Sequence, residues 1–144
     1  MSMKIFRATL AAAVFAGALP AQAQFVPKIP LAKLQAAFAT MRAQGRINVD
    51  GPLLWGYFFL DPDRTRLETA AAELQSKGYH VVGIAKAPDR PLFRLQVDRV
   101  EVHTPESLYA RDIELEGFVR RLHLASYDGM TVGAAPAAAS AASR

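Results

Sequence analysis

The three histidines are the first residues to consider for chemistry, because imidazole side chains bind metals and transfer protons near neutral pH. His80, His103 and His123 are not spaced as ligands on one helix, and the chain has no cysteine to complete a thiolate zinc site. Glu101 and His103 alternate onto one face of a predicted strand, and together with Asp128 they leave a small hydrolase open as a hypothesis. Nucleophile-elbow, phosphate-loop and dinucleotide-binding motifs do not occur. We therefore expect a chain that is not an enzyme and that uses no cofactor and no metal.

Two adjacent charges fall inside the apolar stripe of the longest predicted helix. Helical spacing places Arg111 and Asp112 among its leucines, where an isolated charge is costly unless a partner compensates it. We expect Arg111 to reach a carboxylate or carbonyl beside the turn at Tyr127, Asp128 and Gly129 and so to fasten that turn to the helix. The functional alternative is an arginine that binds a ligand in an open groove.

The Asp128-Gly129 pair favours a tight turn for purely local reasons, since glycine accepts a positive φ. In the functional alternative, Tyr127 and Asp128 belong to a contact patch beside the helix.

An aromatic row lies on the first predicted strand, where Trp55, Tyr57 and Phe59 share one face. Such a row either fills the core or, if exposed, stacks nucleic-acid bases. The chain carries 17 basic and 13 acidic side chains, and this small excess predicts no strong nucleic-acid binding. We therefore place the row in the core.

The elements that must position these residues alternate between strand and helix periodicity. Turn residues and helix caps divide the chain into strand, helix, strand, strand, helix and a short edge strand. In the third strand Val100 and Val102 are out of phase with Phe93 and Leu95, which predicts a bulge near Asp98. The order predicts an α+β fold, a ferredoxin-like split βαβ sandwich in which two helices cover one face of an antiparallel sheet.

The chain before and after this unit has a different character. Residues 1–23 place Lys4 and Arg7 ahead of an apolar run and an Ala-x-Ala site, which predicts a cleaved signal peptide, no membrane span after cleavage, and a periplasmic or secreted protein. Residues 24–52 form a leader with one helix, which either packs on the domain or docks on a membrane surface or partner. Residues 53–133 form the domain, and the alanine-rich residues 134–144 are predicted to be a disordered tail.

Several runs resemble the regulator of ribonuclease activity B family. They are W-G-Y-F-F-L from Trp55, L-Q-S-K-G-Y-H-V, H-T-P-E-S-L-Y-A-R-D-I-E-L-E from His103, and Y-D-G-M-T-V-G from Tyr127. The resemblance implies a compact non-enzymatic module that binds an endoribonuclease and inhibits it by protein contact. An exported chain would meet a different protein partner, whose identity stays open. The alternative is a cytoplasmic inhibitor of ribonuclease E with an uncleaved N-terminus.

Overall fold

A computed structural model describes residues 28–137 of the 144-residue chain. The predicted signal peptide and most of the predicted tail lie outside the described residues. The described chain contains three helices and four strands. In chain order they are α1 (Leu31–Gln44), β1 (Leu53–Asp61), α2 (Arg64–Ser76), β2 (His80–Lys86), β3 (Phe93–Glu101), α3 (Pro105–Arg121) and β4 (Ser126–Ala134).

The four strands form one antiparallel sheet in the order β2-β3-β1-β4. This order follows from two βαβ units in which each helix returns the chain to a parallel strand with one antiparallel strand between them. The side chains of Trp55, Tyr57 and Phe59 point to the face that the helices cover, and each is at most 2% exposed. The predicted ferredoxin-like α+β fold and the predicted core position of the aromatic row are both confirmed.

The register between β1 and β3 differs from the prediction. The two strands pair without interruption from Leu53 opposite Glu101 to Asp61 opposite Phe93, so the bulge predicted near Asp98 is absent. Two register irregularities are present in the outer strands instead. One lies in β2, where it pairs with β3, and the other lies in β4, where it pairs with β1. Because the phase of β3 is kept, Arg99 and Glu101 share the covered face with the core, and Val100 lies on the open face.

The leader helix α1 packs on the domain. Leu34 and Phe38 are buried, and the Phe38 ring stacks on Trp55 with centroids 5.9 Å apart. The helix ends at Gly45, whose φ of 63° is the left-handed conformation common after a last helical turn. Three helices rather than two therefore cover the inner face of the sheet.

The caps of the other helices fix where the chain turns back to the sheet. Thr104 and Ser107 form a capping box at the start of α3, with Pro105 in the first turn. The cap of α2 is Asp63. Asp61 is buried, and it accepts hydrogen bonds from the backbone N–H groups of Asp63 at 2.8 Å and Ala125 at 3.0 Å.

Candidate functional site

Glu101 is the centre of a polar cluster between the sheet and α3. Its Oε1 lies 2.8 Å from Nη2 of Arg111 and 3.5 Å from Nε of Arg99. Its Oε2 accepts a hydrogen bond from the Tyr57 hydroxyl at 2.9 Å and lies 2.9 Å from Nε2 of His103. Burial opposes ionisation of Glu101, but the bonds to His103 and Tyr57 and the charge of Arg111 outweigh it and hold its pKa below the usual value.

Arg111 therefore has a different partner from the predicted one. Besides Glu101, its guanidinium donates to the hydroxyl of Tyr79 and lies 3.4 Å from a carboxylate oxygen of Glu114. It fastens α3 to β3, not to the segment at Tyr127. We expected a carboxylate or carbonyl partner beside the turn at Tyr127; the partner is the carboxylate of Glu101 on β3, because the unbroken phase of β3 brings Glu101 under the helix.

His103, Glu101 and Ser107 lie in a row, with His103 Nδ1 2.9 Å from Ser107 Oγ. A hydroxyl, an imidazole and a carboxylate in contact are the groups of a nucleophilic hydrolase. Ser107 is, however, occupied by the capping box, in which its Oγ accepts from the Thr104 N–H at 2.9 Å. His103 is 7% exposed, and both of its ring nitrogens have partners. The arrangement fixes the start of α3 and leaves little room for a substrate.

Asp112 makes the link to β4 that we expected from Arg111. Its Oδ1 accepts a hydrogen bond from the buried Tyr127 hydroxyl at 2.9 Å. Burial raises the pKa of Asp112 to about 6, against the bond from Tyr127, and the nearby charge of Glu116 raises it further. Among residues 28–137, Asp112 Oδ2 and Glu116 Oε1 are buried without a hydrogen-bond partner, so this part of the cluster costs stability whenever the carboxyls are ionised.

Asp128 and Gly129 lie in a strand rather than in a free turn. Asp128 is the residue at which the pairing of β4 with β1 shifts register, and Gly129 has a φ of 99°. Asp128 lines a shallow cavity of about 130 Å³ with Leu60 and Arg94. Those two residues are paired on the open face of the sheet, so the structure does not bring Asp128 together with Glu101 and His103.

Trp55 is both a core residue and part of a surface feature. An apolar groove of about 430 Å³ separates α1 from β4, and Trp55 contributes to its lining. Its walls carry Leu34 and Met41 on one side and Met130 and Val132 on the other. The indole Nε1 of Trp55 is buried and makes no hydrogen bond within the described part of the chain. We refer to this feature as the α1–β4 groove.

Sequence reasoning missed several members of these sites. Tyr79 was not singled out, and neither was Glu116, although it follows Asp112 by one helical turn, the spacing that would have revealed the acidic pair. Lys28, whose Nζ donates to the Tyr127 carbonyl at 3.1 Å, precedes α1 and had no local signal.

Within residues 28–137 no group of three or more histidine or acidic side chains is arranged to hold a metal ion. None of the three described helices is long and apolar enough to cross a membrane.

Comparison with known protein families identifies the family to which this chain belongs. The model of the family described as regulator of ribonuclease activity B matches residues 32–132. The chain belongs to the regulator of ribonuclease activity B family. The match confirms the resemblance seen in the sequence, and it begins inside α1, so the regulator of ribonuclease activity B unit includes the leader helix.

Membership gives the coarse function. Regulator of ribonuclease activity B proteins are regulatory rather than catalytic and act on a protein partner. No curated protein matches the sequence.

Proposed function

We propose that this chain is an exported, non-enzymatic regulator that acts by binding a protein partner outside the cytoplasm. Family membership supports regulation through protein contact. The predicted signal peptide, with Lys4 and Arg7 ahead of an apolar run, supports export. The partner is then a periplasmic or extracellular protein, and no cofactor takes part.

One observation supports the proposal that the chain is not an enzyme. The residues best suited to acid-base chemistry, Glu101 and His103, direct their polar atoms at Arg111, Tyr57 and Ser107. A general acid or base needs hydrogen-bond access to a substrate. A cluster whose groups are satisfied internally instead makes the covered face rigid, and a rigid scaffold suits a module that presents a surface.

The first experiment measures the intact mass of the expressed protein in each cell fraction. A mass that corresponds to a chain starting at Gln24, found in the periplasmic fraction, supports export, and full-length protein in the cytosol contradicts it.

In the second experiment the purified chain is added in excess to a ribonuclease E cleavage reaction. The exported regulator is expected to act on a different target, so unchanged cleavage agrees with it.

A cytoplasmic inhibitor of ribonuclease E is the second candidate, and the family description favours it. It requires full-length protein in the cytosol together with a fall in cleavage rate as the chain is added. If the chain inhibits ribonuclease E in vitro but is absent from the cytosol of cells, the chain can bind the enzyme. It would not, however, regulate ribonuclease E in the cytoplasm.

A small hydrolase is the third candidate, supported by the contact of His103 with Glu101 and Ser107. It predicts that His103→Ala abolishes an activity found in a broad esterase and amidase screen. Asp128→Asn serves as a comparison, because Asp128 lines a separate cavity. Absence of activity in the wild-type chain, or equal activity in both variants, removes this candidate.

A further inference from the structure

We infer that the α1–β4 groove binds an extended, acidic segment of the partner protein, which pairs with the outer edge of β4 as a fifth strand. This inference rests on the proposed function, because it names the surface and the partner chemistry through which the regulator would act.

The outer edge of β4 is open to an incoming strand. β4 is last in the sheet order and pairs with β1 on one side through eight of its nine residues, and no strand between residues 28 and 137 pairs with the other side. An exposed edge offers a row of N–H and C=O groups to an incoming strand. Strand addition to such an edge is a common way to bind extended peptides.

An apolar groove lies beside that edge. The α1–β4 groove presents Met130 and Val132 from the strand and Leu34 and Met41 from the facing helix. Alternate residues of an added strand point to one face of the sheet, and there they would enter this groove. The backbone would supply the pairing, and apolar side chains at every second position would fill the space between strand and helix.

The charge beside the groove selects its occupant. Residues 28–49 contain four basic residues and no acidic one. Arg42 is paired with Asp50 at 2.6 Å, whereas Lys33 lies in the lining of the groove itself. Complementary charge favours an acidic segment and disfavours a basic one.

Charge repulsion also disfavours the terminal segments of this chain as occupants of the groove. Residues 1–27 carry Lys4 and Arg7, residues 138–144 carry Arg144, and neither stretch contains an acidic residue. A second copy that paired edge to edge would bring the basic helix α1 of one molecule towards that of the other.

The test uses the full chain and blocked synthetic peptides of the length of β4. In the first peptide valine alternates with threonine, except that glutamate replaces the two end valines on the groove-facing side. In the second, lysine replaces those two glutamates, and in the third, proline replaces the threonines. Trp55 is the sole tryptophan and lines the groove, so its emission reports binding. Amide hydrogen exchange then identifies the strand that the peptide protects.

We expect the glutamate peptide to shift Trp55 emission in a saturable way and to protect the amides of β4. Lys33→Glu is expected to weaken binding roughly tenfold through charge repulsion at the groove. Lys86→Glu is the matched control, because it makes the same charge change at the end of the opposite edge strand β2, and we expect it to bind like the wild type.

Three results would overturn the inference: equal binding of the glutamate and lysine peptides, equal binding of the proline peptide, or protection of β2 in place of β4. Its failure is distinguishable from failure of the proposed function. Loss of peptide binding with regulation of a protein target intact would reject this surface alone. Peptide binding by a chain found only in the cytosol would leave the groove assignment standing and reject export.

Discussion

Arg111 on α3 and Glu101 on β3 form an ion pair, with Nη2 2.8 Å from Oε1, in a position where both side chains are largely buried. The pair joins the longest helix to a central strand. Each partner has further contacts, Arg111 with Tyr79 and Glu101 with Tyr57, so the two charges are held in a network rather than as an isolated pair.

Removing Arg111 is therefore expected to be costly. Arg111→Met leaves the Glu101 carboxylate without its main countercharge and should lower the free energy of unfolding by about 3 kcal/mol. The double variant with Glu101→Gln should recover part of that loss, because the unpaired charge is gone. Urea denaturation measures both. A loss below about 0.5 kcal/mol in Arg111→Met would mean that the pair does not contribute to stability.

Asp112 should make stability depend on pH in an unusual direction. Its pKa is raised to about 6 from an ordinary 3.8, so the folded state holds a proton that the unfolded state has already released between those values. The free energy of unfolding should then decrease as pH rises through this window, by about 3 kcal/mol at most. The pKa of Glu101 is lowered, so Glu101 contributes the opposite pH dependence of stability in every variant that retains this residue.

The measurement is Tm between about pH 4 and 8 for Asp112→Asn against the wild type. The amide keeps an acceptor for the Tyr127 hydroxyl and cannot ionise, so the variant should be the more stable protein above the pKa of Asp112. Asp89→Asn changes an exposed carboxyl in the β2–β3 connection and is the control. Parallel Tm curves for Asp112→Asn and wild type would contradict the prediction.

Gly129 should resist substitution for backbone reasons alone. Its φ is 99°, and a Cβ at this position would meet no atom of residues 28–137 within 4 Å. Gly129→Ala should therefore cost about 1–2 kcal/mol from the left-handed backbone rather than from a clash. Gly133→Ala is the matched control in the same strand, since its Cβ also meets nothing and its φ is not positive. Equal stability of the two variants would show that β4 relaxes at Asp128.

Phe38 should be essential for the attachment of α1. Phe38→Ala removes a ring that is 2% exposed and stacked on Trp55, at an expected cost of about 3–4 kcal/mol. Trp55 emission should move to longer wavelength as water gains access to the indole. Phe58→Ala removes a half-buried ring on the open face of the sheet and should cost less. A larger loss from Phe58→Ala would contradict this account of the core.

The site was less predictable than the fold, and Arg111 and Asp112 show why. Helical spacing correctly identified both as charges on a buried stripe, because periodicity determines which face of a helix a residue occupies. It could not assign their partners, which come from strands far away in the sequence. Arg111 pairs with Glu101 and Asp112 with Tyr127, and a change of one residue in the register of β3 would have removed the first pair.

The sequence by itself determined the order of helices and strands, the cap at Thr104, the burial of Trp55 and the family, since these depend on local periodicity, local hydrogen bonds and residue identity. Only the tertiary structure decided that β3 keeps its phase, that Glu101 becomes the centre of the polar cluster, and that a groove remains between α1 and the edge strand β4. The physical reason is that register and packing are settled by contacts between segments distant in the chain, whose free energies no local pattern contains.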